Sequence, residues 1–202
     1  HRSGWLRNLA GLLKMKQLWL LTGLYLCAGA CYDTILVWLP SMLEAEDFSP
    51  TTAGLVTSML PLGFLVASFA VGTLSDRAGL RKPFILVLGL VSGPAIYAAG
   101  TLATPAVWFP TFVTGLCTIG VLTLVLTMPL ELPQISASVA SAVGLISSIG
   151  SIGSFLMPTV VGQIRDVTGS FHWAVLLLAI LGMAILILGL LITETGRKRV
   201  RF

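Results

Sequence analysis

The chain has 202 residues, of which 56% are hydrophobic and 10% charged, with a mean hydropathy of +0.97 and a formal net charge of +4. Soluble domains carry about 25% charged residues, so one aqueous core would not hide this much apolar surface, and lipid is the expected solvent. Three cysteines exclude a disulfide framework, and bases that flank apolar runs point to membrane topology rather than nucleic-acid binding.

Residues 1–17 come first. Trp5, Leu6, Leu9, Leu12 and Leu13 lie between bases, a pattern that predicts a basic amphipathic helix on the membrane surface. No h-region and cleavage site of a signal peptide is present. The first residue is His1, and a piece of a longer chain is expected.

Six apolar runs follow, at roughly 18–40, 51–73, 83–102, 106–128, 138–162 and 172–193. About 20 such residues cross the ~30 Å hydrocarbon core as a helix. Ser49-Pro50, Thr104-Pro105 and Lys82-Pro83 read as helix starts. Pro61, Pro94 and Pro158 are expected to bend the second, third and fifth spans. The predicted class is an all-α membrane protein, a six-transmembrane-helix bundle at 18–193 with a basic tail at 194–202.

With residue 1 inside, eleven of the twelve Lys and Arg fall on the inner side; Arg165 is the exception. The loop at Glu44, Glu46 and Asp47 on the other side is acidic. The positive-inside rule then puts both ends in the cytoplasm, with the plasma (inner) membrane as the expected location.

Two segments repeat. Gly72-x-x-x-Asp76-x-x-Gly79 closes the second span, and Gly162-x-x-x-Asp166-x-x-Gly169 closes the fifth at the same spacing, 90 residues on. Three spans per copy make the copies face opposite ways. The reading is two inverted three-helix repeats, at about 18–102 and 106–193, the organisation of many secondary transporters.

The polar loop at 72–82 resembles the signature of the major facilitator superfamily. Gly72, Leu74, Ser75, Asp76, Arg77, Gly79, Arg81 and Lys82 match it, while Leu80 stands where a base is usual. Pro158 with Gly162, Asp166 and Gly169 resembles the end of that family's eleventh helix, and Glu194-Thr-Gly-Arg-Lys resembles the exit from a half. The resemblance implies half of a twelve-helix fold, helices 7–12, whose partner is the missing other six-helix half. It implies that Asp76 faces the backbone near Ser136–Val139 as a latch that opens and closes during alternating access. It also implies that Arg77, Arg81 and Lys82 bind carboxylates and lipid headgroups; the alternative is that these bases only fix topology.

The resemblance implies that the first and fourth spans line the central cavity, and the candidate substrate and coupling residues lie on them. Asp33 is the only charged residue well inside a span, and an intramembrane carboxylate is by default a functional candidate. Tyr25 and Tyr32 share a face with Thr22 and Gly29, and Thr114 and Thr118 recur with Thr111 at helical spacing. Packing tyrosines, and hydroxyls returned to their own helix, are the alternatives. Glu131 is read as a loop charge that could pair with Arg77 or Arg81. Cys27 and Cys31 have no further ligands nearby, so no metal is expected. No nucleotide loop or catalytic constellation is visible, so neither a cofactor nor an enzyme is expected. The functional expectation is secondary active transport of a small solute, proton-coupled, as in a symporter, with lipid, substrate and protons as partners. The alternatives are a uniporter or exchanger of a small anion, in a cyanate- or nitrate-like branch, and a non-transporting assembly or sensor protein.

Overall fold

The computed structural model describes residues 11–102, 105–135 and 138–196. Residues 1–10 of the surface helix expected at 1–17, and the tail from Arg197 onward, lie outside the described residues. Among the described residues seven α-helices follow the lead-in: α1 (Lys16–Glu44), α2 (Pro50–Thr57), α3 (Met59–Ala78), α4 (Lys82–Thr101), α5 (Trp108–Glu131), α6 (Val139–Thr168) and α7 (His172–Leu191). With α2 and α3 taken as one broken helix, six are long and apolar enough to cross a membrane.

Helix ends follow local chemistry. Ser49 caps α2 by accepting from Thr52 N at 3.2 Å, with Pro50 at the first helical position. Pro61 has no N–H for the carbonyl of Thr57, four residues back, and the second span breaks at Ser58, between α2 and α3. Pro94 and Pro158 instead lie inside continuous helices. Before α5 comes a short 3-10 turn, Pro105–Val107, which moves the start of that helix to Trp108. Several helices overrun the apolar runs. Thus α3 continues to Ala78, and most of the expected loop at 72–82 is its last two turns.

Gln17 and Thr193 exchange two hydrogen bonds, Nε2 to O at 3.4 Å and N to Oε1 at 3.2 Å. They mark the end of the bundle nearest both termini, here called proximal; the opposite end is distal. Leu18, Leu21, Leu124, Met128 and Ile146 form the core toward the proximal end, and Ile35, Leu39, Leu60, Ile96 and Leu178 the core toward the distal end. Large apolar side chains such as Phe69, Phe109 and Phe155 are more than two-thirds exposed. Lipid satisfies such a surface; water does not.

The repeat is visible in the packing. A shift of 90 residues carries Leu60 onto Gly150 and Tyr25 onto Gly115. In α3 and α5, Gly115 packs directly on Leu60; in α1 and α6, Gly150 packs directly on Tyr25. Likewise Gly63 abuts Leu116, and Gly153 abuts Leu26. Between α4 and α7, Ser92 Oγ donates to the carbonyl of its own counterpart, Gly182, at 2.9 Å, and Gly93 abuts its counterpart Met183. The pseudo-two-fold axis therefore passes between α4 and α7, as two inverted three-helix repeats require. Gly79 and Gly169, also counterparts, stop α3 and α6 in the left-handed conformation at φ 66° and 69°.

Candidate functional site: a charged knot at the proximal end

Gly79 ends α3 in a left-handed turn, which returns the chain so that Arg81 lies back across it. Arg81 is only 7% exposed. Its Nη1 donates to Ser75 Oγ at 2.8 Å, and its Nη2 to Asp76 Oδ1 at 2.5 Å. From the end of α5, Glu131 accepts from Arg81 Nη2 at 2.6 Å and from Nε at 3.1 and 3.2 Å. Thr195 Oγ1 closes the set by donating to Glu131 Oε2 at 2.9 Å. Hydrogen bonding to Glu131, and then the Asp76 bond, hold the guanidinium above its ordinary range against the opposing effect of burial.

Glu194 joins the last helix to α4. Its carboxylate accepts from the backbone N–H of Arg81 at 2.7 Å and of Lys82 at 3.0 Å, a helix start where negative charge is favoured. It also accepts from Thr195 N and Gly196 N. Lys82 Nζ returns the favour by donating to the carbonyls of Leu190 and Ile192, at 2.7 and 2.9 Å, at the electronegative end of α7. Gly196 is pressed on the backbone of Gly79 and Leu80, with no room for a β-carbon. The knot thus ties α3, α4, α5 and the segment after α7. Beside it lies a cavity of about 220 Å³ lined by Asp76, Gly79, Arg81, Glu131 and Gly196.

Of the signature residues, Ser75, Asp76, Gly79, Arg81 and Lys82 meet here. Gly72 lies a turn deeper, facing Thr123, and Arg77 is exposed on the last turn of α3. The Asp76 carboxylate is 66% exposed. Ser136 and Ala137, half of the stretch it was expected to face, lie outside the described residues. Glu194 and Thr195 were legible only as the exit from a half; nothing in their spacing pointed to Arg81.

The second copy of the motif is built differently. Asp166 is exposed, and its carboxylate is 3.5 Å from the neighbouring Arg165. The counterpart of Arg81 is Phe171, whose ring packs against Trp38 at 5.7 Å, tilted by 55°. Trp38 Nε1 donates to the carbonyl of Pro158 at 2.9 Å, and its ring covers Gly162. The proximal end is therefore held by charge and the distal end by aromatic packing.

The remaining candidates separate. Asp33 is half-buried on α1, next to Tyr32, whose ring lies 6.3 Å from that of Phe64. Tyr25 is half-buried and packed on Gly150. Thr114 and Thr118 are fully buried in the bundle rather than on an open wall. Thr118 returns its hydroxyl to the Thr114 carbonyl at 2.7 Å, whereas the Thr114 hydroxyl has no partner.

The sequence model of the Major Facilitator Superfamily matches residues 5–202. The chain is 27% identical, over 87% of its length, to a protein named for tartrate transport in Agrobacterium vitis, of which it covers 39%. It is 29% identical, over 80% of its length, to a protein named for glycerol-3-phosphate transport in Arabidopsis thaliana, of which it covers 33%. It is 27% identical, over 87% of its length, to a protein named for nitrate/nitrite transport in Mycobacterium tuberculosis, of which it covers 45%. The chain thus spans between about a third and a half of the length of these relatives.

Proposed function

The chain belongs to the major facilitator superfamily, and on that premise we propose that it forms one six-helix half of a secondary transporter that moves a small solute by alternating access. Both ends lie in the cytoplasm of a cell bounded by the plasma membrane, a reading supported by the excess of bases at the proximal end. The observation that carries the reading is the Arg81 knot. A buried cation at the start of α4 that is bonded to α3 and α5, with Glu194 of the segment after α7 on the Arg81 backbone N–H, is a discrete contact that can be made or broken, and two-state contacts of this kind are what switching between closed and open ends requires.

The substrate class we infer is a small anion moved together with protons. The relatives named for tartrate, glycerol-3-phosphate and nitrate/nitrite transport support the anion, and the protons rest on Asp33, a carboxylate within a span. Among the described residues the middle of each span carries no Lys or Arg, so the base that meets the anion comes from the other half. Asp33 is the candidate proton carrier, and Tyr32 and Tyr25 flank it. In the full-length protein, Asp33→Asn is expected to abolish gradient-driven uptake and to spare counterflow exchange. Gradient-driven uptake at the wild-type rate removes Asp33 from the coupling step.

A further inference from the structure

Among the described residues Arg165 is the only Lys or Arg of the distal end, and it has no part in the reading above. It lines a cavity of about 370 Å³ between the end of α1, the end of α4 and the turn from α6 to α7, with Met42, Glu46, Thr101, Phe171 and His172. That volume falls within the range of small-molecule sites, roughly 300–1,000 Å³.

Its chemistry is mixed in a specific way. Arg165 lies over the Phe171 ring at 5.6 Å, and its side chain is 52% exposed. Among the described residues its one carboxylate contact is the loose one to Asp166, at 3.5 Å, which leaves most of its five N–H donors for a bidentate oxyanion. Glu46 adds an exposed carboxylate to the same lining, from the turn after α1. Met42, nearly fully buried, provides an apolar floor beside Phe171.

The depth of the cavity identifies the ligand class. Helices α4 and α7 have 20 residues each, about 30 Å at ~1.5 Å per residue, which is the thickness of the hydrocarbon core. Thr101 and His172, at their distal ends, therefore sit where lipid headgroups begin. Phe109 and Trp173 are 74% and 59% exposed at the same level, as aromatic residues of a membrane interface are.

We propose that this cavity is a headgroup site for a zwitterionic phospholipid of the phosphatidylethanolamine type, with the phosphate on Arg165, the ammonium on Glu46 and the glycerol end over Met42 and Phe171. The inference needs only that the chain spans a bilayer and does not rest on the transport reading.

Native mass spectrometry of the full chain, extracted from nanodiscs with equal phosphatidylethanolamine and phosphatidylglycerol, tests it. The wild-type chain is expected to retain phosphatidylethanolamine preferentially. Arg165→Gln is expected to lower retention of both lipids about tenfold, the effect of one charge-assisted contact. Glu46→Gln is expected to remove the preference while phosphatidylglycerol stays bound. Both side chains are exposed, and an unchanged helical circular dichroism spectrum ties each loss to the site. Retention of phosphatidylethanolamine at the wild-type level in both variants overturns the proposal. So does Arg165-dependent binding of water-soluble phosphoethanolamine with no lipid retained, because the ligand is then a free solute.

Discussion

Arg81 is worth more to the protein than the other bases because of where its partners sit. The Arg81 guanidinium is nearly out of water, Glu131 is 22% exposed, and Asp76 is 66% exposed. Removing one partner of a buried pair leaves a charge that water cannot reach, at a cost of about 3–5 kcal/mol, and the low end applies to a partner with some exposure. An exposed partner is worth less than about 1 kcal/mol. Glu131→Gln is therefore expected to destabilise the chain by about 3 kcal/mol, and Asp76→Asn by under about 1 kcal/mol. Thermal denaturation in detergent measures both. A melting temperature lowered equally by the two changes places the energy of the knot elsewhere.

Helices α3 and α5 meet because Gly63 and Gly115 let their backbones touch. A β-carbon at Gly63 would lie 2.7 Å from Leu116 N and would also overlap the Phe112 carbonyl. Backbone does not rotate out of the way as a side chain does, so the helices must separate. Gly63→Ala is expected to cost about 1–3 kcal/mol, the usual range for overpacking. Gly54→Ala, on α2 where a β-carbon meets nothing within 4 Å, is expected to be neutral or to gain up to about 1 kcal/mol from helix propensity. Chemical denaturation of the two variants in micelles reads the difference, and equal stabilities refute the close-packing account. The same contrast shows what was legible beforehand. Six runs of apolar residues announce six spans because lipid demands them, and Ser49-Pro50 announces a cap through local chemistry alone. Residues 73–78 looked like a loop because Ser75 and Asp76 are polar, yet a helix that protrudes past the hydrocarbon can stay helical until Gly79 stops it. The sequence offers Glu131 as a partner for Arg77 or Arg81, and the structure gives it to Arg81, but spacing alone could not choose between the two bases or point to Glu194. Glu131 is 50 positions away and Glu194 is 113, and only the bundle brings them together.

Across the whole molecule the two repeats share a frame but not their ends. Asp76 and Asp166 hold equivalent positions, as do Arg81 and Phe171, so the same turn is an ionic knot at the proximal end and a tilted aromatic contact at the distal end. Stability does not require this difference. Buried ion pairs are often matched or exceeded by apolar side chains of similar volume, because the charges must first be stripped of water. If the knot served stability alone, Arg81→Met combined with Glu131→Leu would restore both the melting temperature and transport. A gate behaves otherwise: its contact must release when the proximal end opens, and charges released into water are rehydrated, whereas apolar side chains released into water are penalised. The double variant, built in the full-length protein, is therefore expected to melt within a few degrees of the wild type but to transport at least tenfold more slowly, with the proximal end held shut. Alkylation of a cysteine placed at Thr127, on α5 one turn before Glu131, measures that closure, and its rate is expected to fall in the double variant. Wild-type transport together with wild-type alkylation would return the knot to a purely structural role.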